Sequence, residues 1–94
     1  MWIMQGTNKI HSTAIIGDNV ELGENNVIYP YAVIGLLGFI RNHGDVNGVI
    51  KIGDNNWIGC HVTVMCGEEG ETIIGDGNLI MNYVNVGHHV EIGN

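Results

Sequence analysis

The residues of this chain best suited to proton chemistry are two adjacent histidines, His88 and His89. An imidazole titrates near neutral pH, so it takes up and returns a proton without help from a cofactor. Three more histidines, His11, His43 and His61, are spread along the chain. His11 reads as a surface residue. Arg41, with Lys9 and Lys51, makes up the whole basic complement, and its planar fork suits a phosphate or carboxylate. Cys60 and Cys66 are the only thiols.

These residues hang on a six-residue beat. An aliphatic side chain recurs at Ile10, Ile16, Leu22, Ile28 and Ile34, at Ile52, Ile58 and Val64, and at Ile74, Ile80, Val86 and Ile92. Glycine often follows, as at Gly17, Gly23, Gly53, Gly75 and Gly93. A small or compact residue often stands four places after the beat, as at Ala14, Asn26, Ala32, Asn56, Val62 and Asn78. Neither a 3.6-residue helix nor simple strand alternation gives this pattern. A hexapeptide period is the signature of a parallel β-helix. Gly, Asn and Asp crowd the turns between beats, where unusual backbone angles are needed. The single proline, Pro30, also falls at a turn, where its missing N–H costs little.

The 94 residues make one domain, 1–94. With a formal charge of −7 and only three basic residues, the chain lacks the clustered cations that nucleic-acid binding needs. The opening MWIMQGTNKI has no apolar stretch of signal-peptide length. The longest apolar run, 32–40, is too short to span a bilayer, so no membrane insertion is expected. Cys60 and Cys66 occupy matching places of successive hexads and should lie on different faces of one coil. They read as reduced thiols of a cytoplasmic protein.

The beat breaks twice. From Ile34 to Ile52 the spacing is 18, which keeps phase. Two regular hexads would fit, but Gly38, Gly44 and Gly48 favour an external loop over about 36–48. From Val64 to Ile74 the spacing is 10 instead of six, so about four residues must bulge out, over about 67–72. Loops on a rigid solenoid are where binding residues are usually placed.

The stretch 78–94 resembles the catalytic coil of the UDP-N-acetylglucosamine acyltransferases of lipid A synthesis, whose pattern reads N-L-x-M-x-x-x-H-x-x-H-D-x-x-x-G-N. Asn78, Leu79, Met81, His88, Gly93 and Asn94 match it. The opening Ile10-His-Ser-Thr-Ala-Ile and the two interruptions agree with the same family. The resemblance implies an all-β, left-handed parallel β-helix of about four to five triangular coils of 18 residues. Ile16, Leu22, Ile34, Ile52, Ile58, Ile74, Ile80, Val86 and Ile92 should point into its prism. Cys66 and His88 should then stack on one outer face, one coil apart, because both take the third place of a hexad.

The resemblance also implies a function. An acyl group passes from a thioester on acyl carrier protein to a UDP-amino sugar, with no cofactor. His88 is the general base. Met81, Asn85, His89 and Arg41 line the substrate site, and active sites lie between the subunits of a homotrimer. The loop over about 36–48 should reach a neighbouring subunit near its His88. Several family positions differ. His89 stands for an acidic residue, Asn85 for a substrate-contacting histidine, Met65-Cys66-Gly67 for His-Arg-Gly, and Arg41 falls within the first loop's Asp-x-Lys. The family's later coils and helical domain have no counterpart within 1–94.

Three other readings use the same residues. Nucleotide-sugar acetyltransferases that take coenzyme A thioesters resemble this stretch as well, since they carry a His-Asp-like pair before Ile-Gly-Asp. β-Helical carbonic anhydrases bind metal through histidines several residues apart. Adjacent His88 and His89 leave a turn in different directions, so no metal site is expected. A short β-helix can also serve as an assembly element alone.

Overall fold

The computed structural model describes residues 1–37, 48–66, 70–87 and 90–93. After a first strand, β1 (Trp2–Gln5), the chain winds through four coils of three short strands. The first coil holds β2 (Asn8–His11), β3 (Ile15–Ile16) and β4 (Val20–Leu22); the second holds β5 (Val27–Ile28), β6 (Val33–Leu37) and β7 (Val49–Ile52). The third holds β8 (Trp57–Ile58), β9 (Thr63–Cys66) and β10 (Glu71–Ile74), and the fourth holds β11 (Leu79–Ile80), β12 (Asn85–Val86) and β13 (Glu91–Ile92). Strands stack in parallel register into three sheets. The first face is β1-β2-β5-β8-β11, the second is β3-β6-β9-β12 and the third is β4-β7-β10-β13.

The hexad beat explains the register. Ile10 stands over Ile28, Ile28 over Ile58, and Ile58 beside Ile80. The second and third faces stack Ile16, Ile34, Val64 and Val86, and Leu22, Ile52, Ile74 and Ile92, in the same way. Ile28, Ile58 and Val64 are fully buried. Burial of each such side chain contributes about 1.5–3 kcal/mol.

A second column lies two places before the beat. On the first face it is asparagine in every coil: Asn8, Asn26, Asn56 and Asn78. Asn26 N–H donates to Asn8 Oδ1 (2.9 Å), Asn56 N–H to Asn26 Oδ1 (2.9 Å) and Asn78 N–H to Asn56 Oδ1 (2.8 Å). The side-chain amides of Asn8, Asn26 and Asn56 donate to the carbonyls of Gly23, Gly53 and Gly75. These rungs are 18, 30 and 22 residues apart. The coil is thus 18 residues long, with twelve added between β6 and β7 and four between β9 and β10.

Two expectations change. Of the residues assigned to the prism, Ile34, Ile52, Ile58, Ile74, Ile80 and Val86 are buried, whereas Ile16, Leu22 and Ile92 are half-buried against the core. Those three lie in β3, β4 and β13, which end their sheets; β11 and β12 end theirs too, yet Ile80 and Val86 stay buried, so an end position exposes a beat residue only in part of the prism. Ile10 escapes this because β1 pairs antiparallel with β2 and sets Ile3 opposite it. The second change is Cys66, which is fully buried and not on an outer face. The strand β9 does not turn after Val64. It stays extended for two more residues, and the period-two alternation of a strand sends Val64 and Cys66 inward together. Inside, the Cys66 thiol accepts from Asn19 Nδ2 (3.1 Å) and donates to the Gly35 carbonyl (3.6 Å). Cys66 is therefore no guide to the position of His88.

Candidate functional site

His88, His89 and Arg41 lie outside the described residues, as do most of the two expected loop segments. The strands around them still fix where the chain enters and leaves. Residues 38–47 join β6 to β7, 67–69 join β9 to β10, and 88–89 join β12 to β13. The strands that precede these segments, β6, β9 and β12, lie on the second face, and those that follow, β7, β10 and β13, lie on the third.

Asn85 is described. It is the outward residue of β12, exposed on the second face and registered on Thr63 of β9. The Thr63 hydroxyl donates to Asn85 Oδ1 at 2.8 Å, which turns the amide N–H groups of Asn85 outward. Strand alternation and the short β12 put this amide on the face that leads to the 88–89 link.

Met81 follows β11 and stands on the first face, 63% exposed. It is thus one face away from Asn85, and the structure does not bring the two together. Met81 lines an apolar depression of about 260 Å³ with Tyr29, Trp57 and Leu79. Gly59 forms part of that wall. A β-carbon there would come within 2.9 Å of the Asn82 N–H and the Ile80 carbonyl, so only glycine keeps this close packing.

The edge between the first and second faces carries a feature that the hexad pattern hides. Tyr31, His61 and Tyr83 all have left-handed backbones, with φ of 63°, 57° and 66°. Their rings stack in a column with centroids 5.1 Å apart and interplanar angles of 14° and 3°. The sequence reading reserved such backbone angles for Gly, Asn and Asp. The available signal was the equivalent place of 31, 61 and 83 in successive coils.

His11 is half-buried. Thr13 N–H donates to its Nδ1 (3.2 Å), the Met1 amino group lies 3.0 Å from its Nε2, and Trp2 meets it edge-on. Among the described residues no group of three or more His, Cys, Asp or Glu side chains is placed to hold a metal. No described helix is long and apolar enough to cross a membrane.

No family model matches the chain. It is 41% identical over 96 residues to the acyl-[acyl-carrier-protein]–UDP-N-acetylglucosamine O-acyltransferase of Thermodesulfovibrio yellowstonii, covering 98% of this chain and 36% of that protein. It is 38% identical over 89 residues to the enzyme of the same name from Rickettsia canadensis, covering 92% and 34%. The chain thus spans about a third of the length of the curated relatives it matches. Among solved structures, the UDP-N-acetylglucosamine acyltransferase of Bacteroides fragilis superposes with a TM-score of 0.83 at 37% identity, over 94% of this chain and 35% of that one. The Francisella novicida enzyme gives 0.60 at 27% identity, over 98% and 44%. In sequence and in its left-handed β-helical fold, this chain is similar to the N-terminal region of the UDP-N-acetylglucosamine acyltransferases.

Proposed function

We propose that the protein transfers an acyl group from a thioester on acyl carrier protein to a UDP-amino sugar such as UDP-N-acetylglucosamine, with His88 as general base. One observation carries this reading. The similarity to enzymes of that name extends over 98% of the chain, and the residues of the resembling catalytic stretch include His88.

In the proposed reaction His88 takes the proton of the sugar 3-hydroxyl. The oxygen attacks the thioester carbonyl and the carbon–sulfur bond breaks. The proton on His88 then returns to the departing carrier thiolate. Histidine suits both halves of this cycle because its ordinary pKa lies near neutrality. Arg41 meets an anionic group of the nucleotide, while Met81, Asn85 and His89 contact substrate. Asn85 supports this role best, since Thr63 holds its carbonyl oxygen and leaves its N–H donors facing out. An amide at this place offers two N–H donors at any pH, where a neutral imidazole offers one. The protein acts as a cytoplasmic homotrimer, and its loops over about 36–48 and 67–72 wall the site.

A nucleotide-sugar acetyltransferase using acetyl-coenzyme A is the alternative, since the departures at Asn85 and His89 alter the side chains that would select the sugar and the acyl group. Incubating the protein with UDP-N-acetylglucosamine and either acyl carrier protein thioesters or acetyl-coenzyme A separates the two. Product from the carrier thioester supports the first reading, and product from acetyl-coenzyme A alone supports the second. No product from either points to an assembly element without activity.

A further inference from the structure

The first face begins with a strand that the other two faces lack. β1 turns back at Gly6 and Thr7 and pairs antiparallel with β2, Ile3 opposite Ile10. The second and third sheets begin directly at β3 and β4. β1 is firmly held. The Met1 carbonyl accepts from Ser12 N–H (2.8 Å), and Trp2 meets the His11 and Tyr29 rings edge-on with the Lys9 ammonium over it. Its outer edge pairs with no strand among the described residues.

Bonding direction alternates from one residue to the next along a strand. Ser12 N–H bonds to Met1, whereas Lys9 N–H bonds to Asn26 at the head of β5. The backbone groups of Met1, Ile3 and Gln5 therefore face β2. Those of Trp2 and Met4 face away, two N–H donors and two carbonyl acceptors in a row. An exposed sheet edge is ordinarily blunted by a charge, a proline or a bulge, because it otherwise recruits a strand. Trp2-Ile-Met-Gln5 has none of these. Ile3, 49% exposed, and Met4, 62% exposed, leave it apolar and open.

We propose that two copies of the chain join end to end, β1 of one pairing antiparallel with β1 of the other across a two-fold axis at Ile3. The edge itself selects a second copy. In a pair centred on Ile3, Trp2 of each copy stands opposite Met4 of the other, and every unused donor of one strand meets an unused acceptor of the other. The side chains match as well. Ile3 meets its own counterpart on one side of the sheet, and Trp2 meets Met4 on the other. A patch that is its own complement gives a closed two-fold contact. Charge permits the approach. The chain carries −7 overall, yet its first carboxylate is Asp18, so β1 and β2 bring no acid to the contact. The contact lies at the end of the prism and leaves its long faces free. It rests on neither the acyl-transfer reading nor the homotrimer.

Sedimentation equilibrium at micromolar concentration and cross-linking test it. The wild type should contain an even number of 10.2 kDa chains. Met4→Pro removes an N–H at the outer edge and keeps β1 on β2, since that N–H is not used there. It should halve the mass with an unchanged circular dichroism spectrum. Ile3→Cys, in a Cys60→Ser background, sets two thiols opposite each other. Such facing positions lie about 4.5 Å apart between α-carbons, within reach of a disulfide. Mild oxidation should give a band of twice the chain mass on a non-reducing gel. Glu91→Cys, at the far end of the prism in the same background, should give none. An odd number of chains in the wild type overturns the proposal and leaves the edge to a strand of another protein. An unchanged mass in folded Met4→Pro overturns it too. If Met4→Pro loses its spectrum, the gel decides: Ile3→Cys that stays at the mass of one chain overturns the proposal, as does equal cross-linking of Glu91→Cys. A wild type of three chains would keep the homotrimer and remove this contact, and a wild type of two chains would do the reverse.

Discussion

Asn26 Oδ1 accepts the backbone N–H of Asn56 at 2.9 Å, across thirty residues of sequence. Both residues are fully buried. The bond spans the second-to-third coil step, where thirty residues separate the two asparagines and not the eighteen of a regular coil. The asparagine column thus does for the polar backbone what the isoleucine column does for the apolar core. It fixes which residue stacks on which.

Asn56→Ala should be among the most damaging single changes. It leaves the Asn78 N–H and the Gly75 carbonyl without the partners they have now, at 2.8 Å each. A buried group stripped of its partner costs about 1–3 kcal/mol, so a loss of about 2–4 kcal/mol is expected in urea denaturation. A loss under about 0.5 kcal/mol would mean that the column does not hold the register.

The Tyr31–His61–Tyr83 column makes a different demand. His61 has a left-handed backbone, which costs a residue with a β-carbon about 1–2 kcal/mol relative to glycine. His61→Ala keeps that strain and loses stacking on both neighbouring rings, about 0.5–1.5 kcal/mol for each pair. His61→Gly loses the same stacking and relieves the strain. The alanine variant should therefore melt lower than the glycine variant. The reverse order would show that the backbone angle is not strained.

The two thiols should differ sharply in reactivity. Cys60 is partly exposed at the first edge, while Cys66 is sealed inside between Asn19 and Gly35. Titration of the native protein with an aromatic disulfide reagent should label one thiol, and unfolding should release the second. Cys60→Ser should abolish the fast phase. Two fast equivalents would place Cys66 outside the prism.

Much of the fold was legible in the sequence because the beat is set by the core itself. A six-residue recurrence of isoleucine is satisfied when each stacks on its counterpart, so Ile34, Ile52, Ile58 and Ile74 are legible as core residues from their spacing alone. The pattern failed where local backbone overrode it. Cys66 keeps the hexad place of Cys60 but sits in a strand that runs on, so its side chain faces the other way. The antiparallel β1 carries no hexad signal, and only Gly6, at φ 61°, marks its turn. The asparagine column read as a row of compact residues; that its amides bond across coils depends on a stacking distance that no single sequence encodes. For the site, Asn85 and Met81 stand on different faces of one chain, a separation that the hexad places of 81 and 85 already imply.

Acyl transfer from acyl carrier protein thioester to UDP-N-acetylglucosamine, measured for the wild type beside His88→Ala and His89→Ala, tests the central claim most directly. The account predicts turnover by the wild type. It predicts a fall in kcat of about 10²–10⁴-fold for His88→Ala, the usual range for loss of a general base, and a smaller fall for His89→Ala. Unchanged turnover in His88→Ala would contradict it, and equal losses at both positions would replace the single base with a dyad or a metal site.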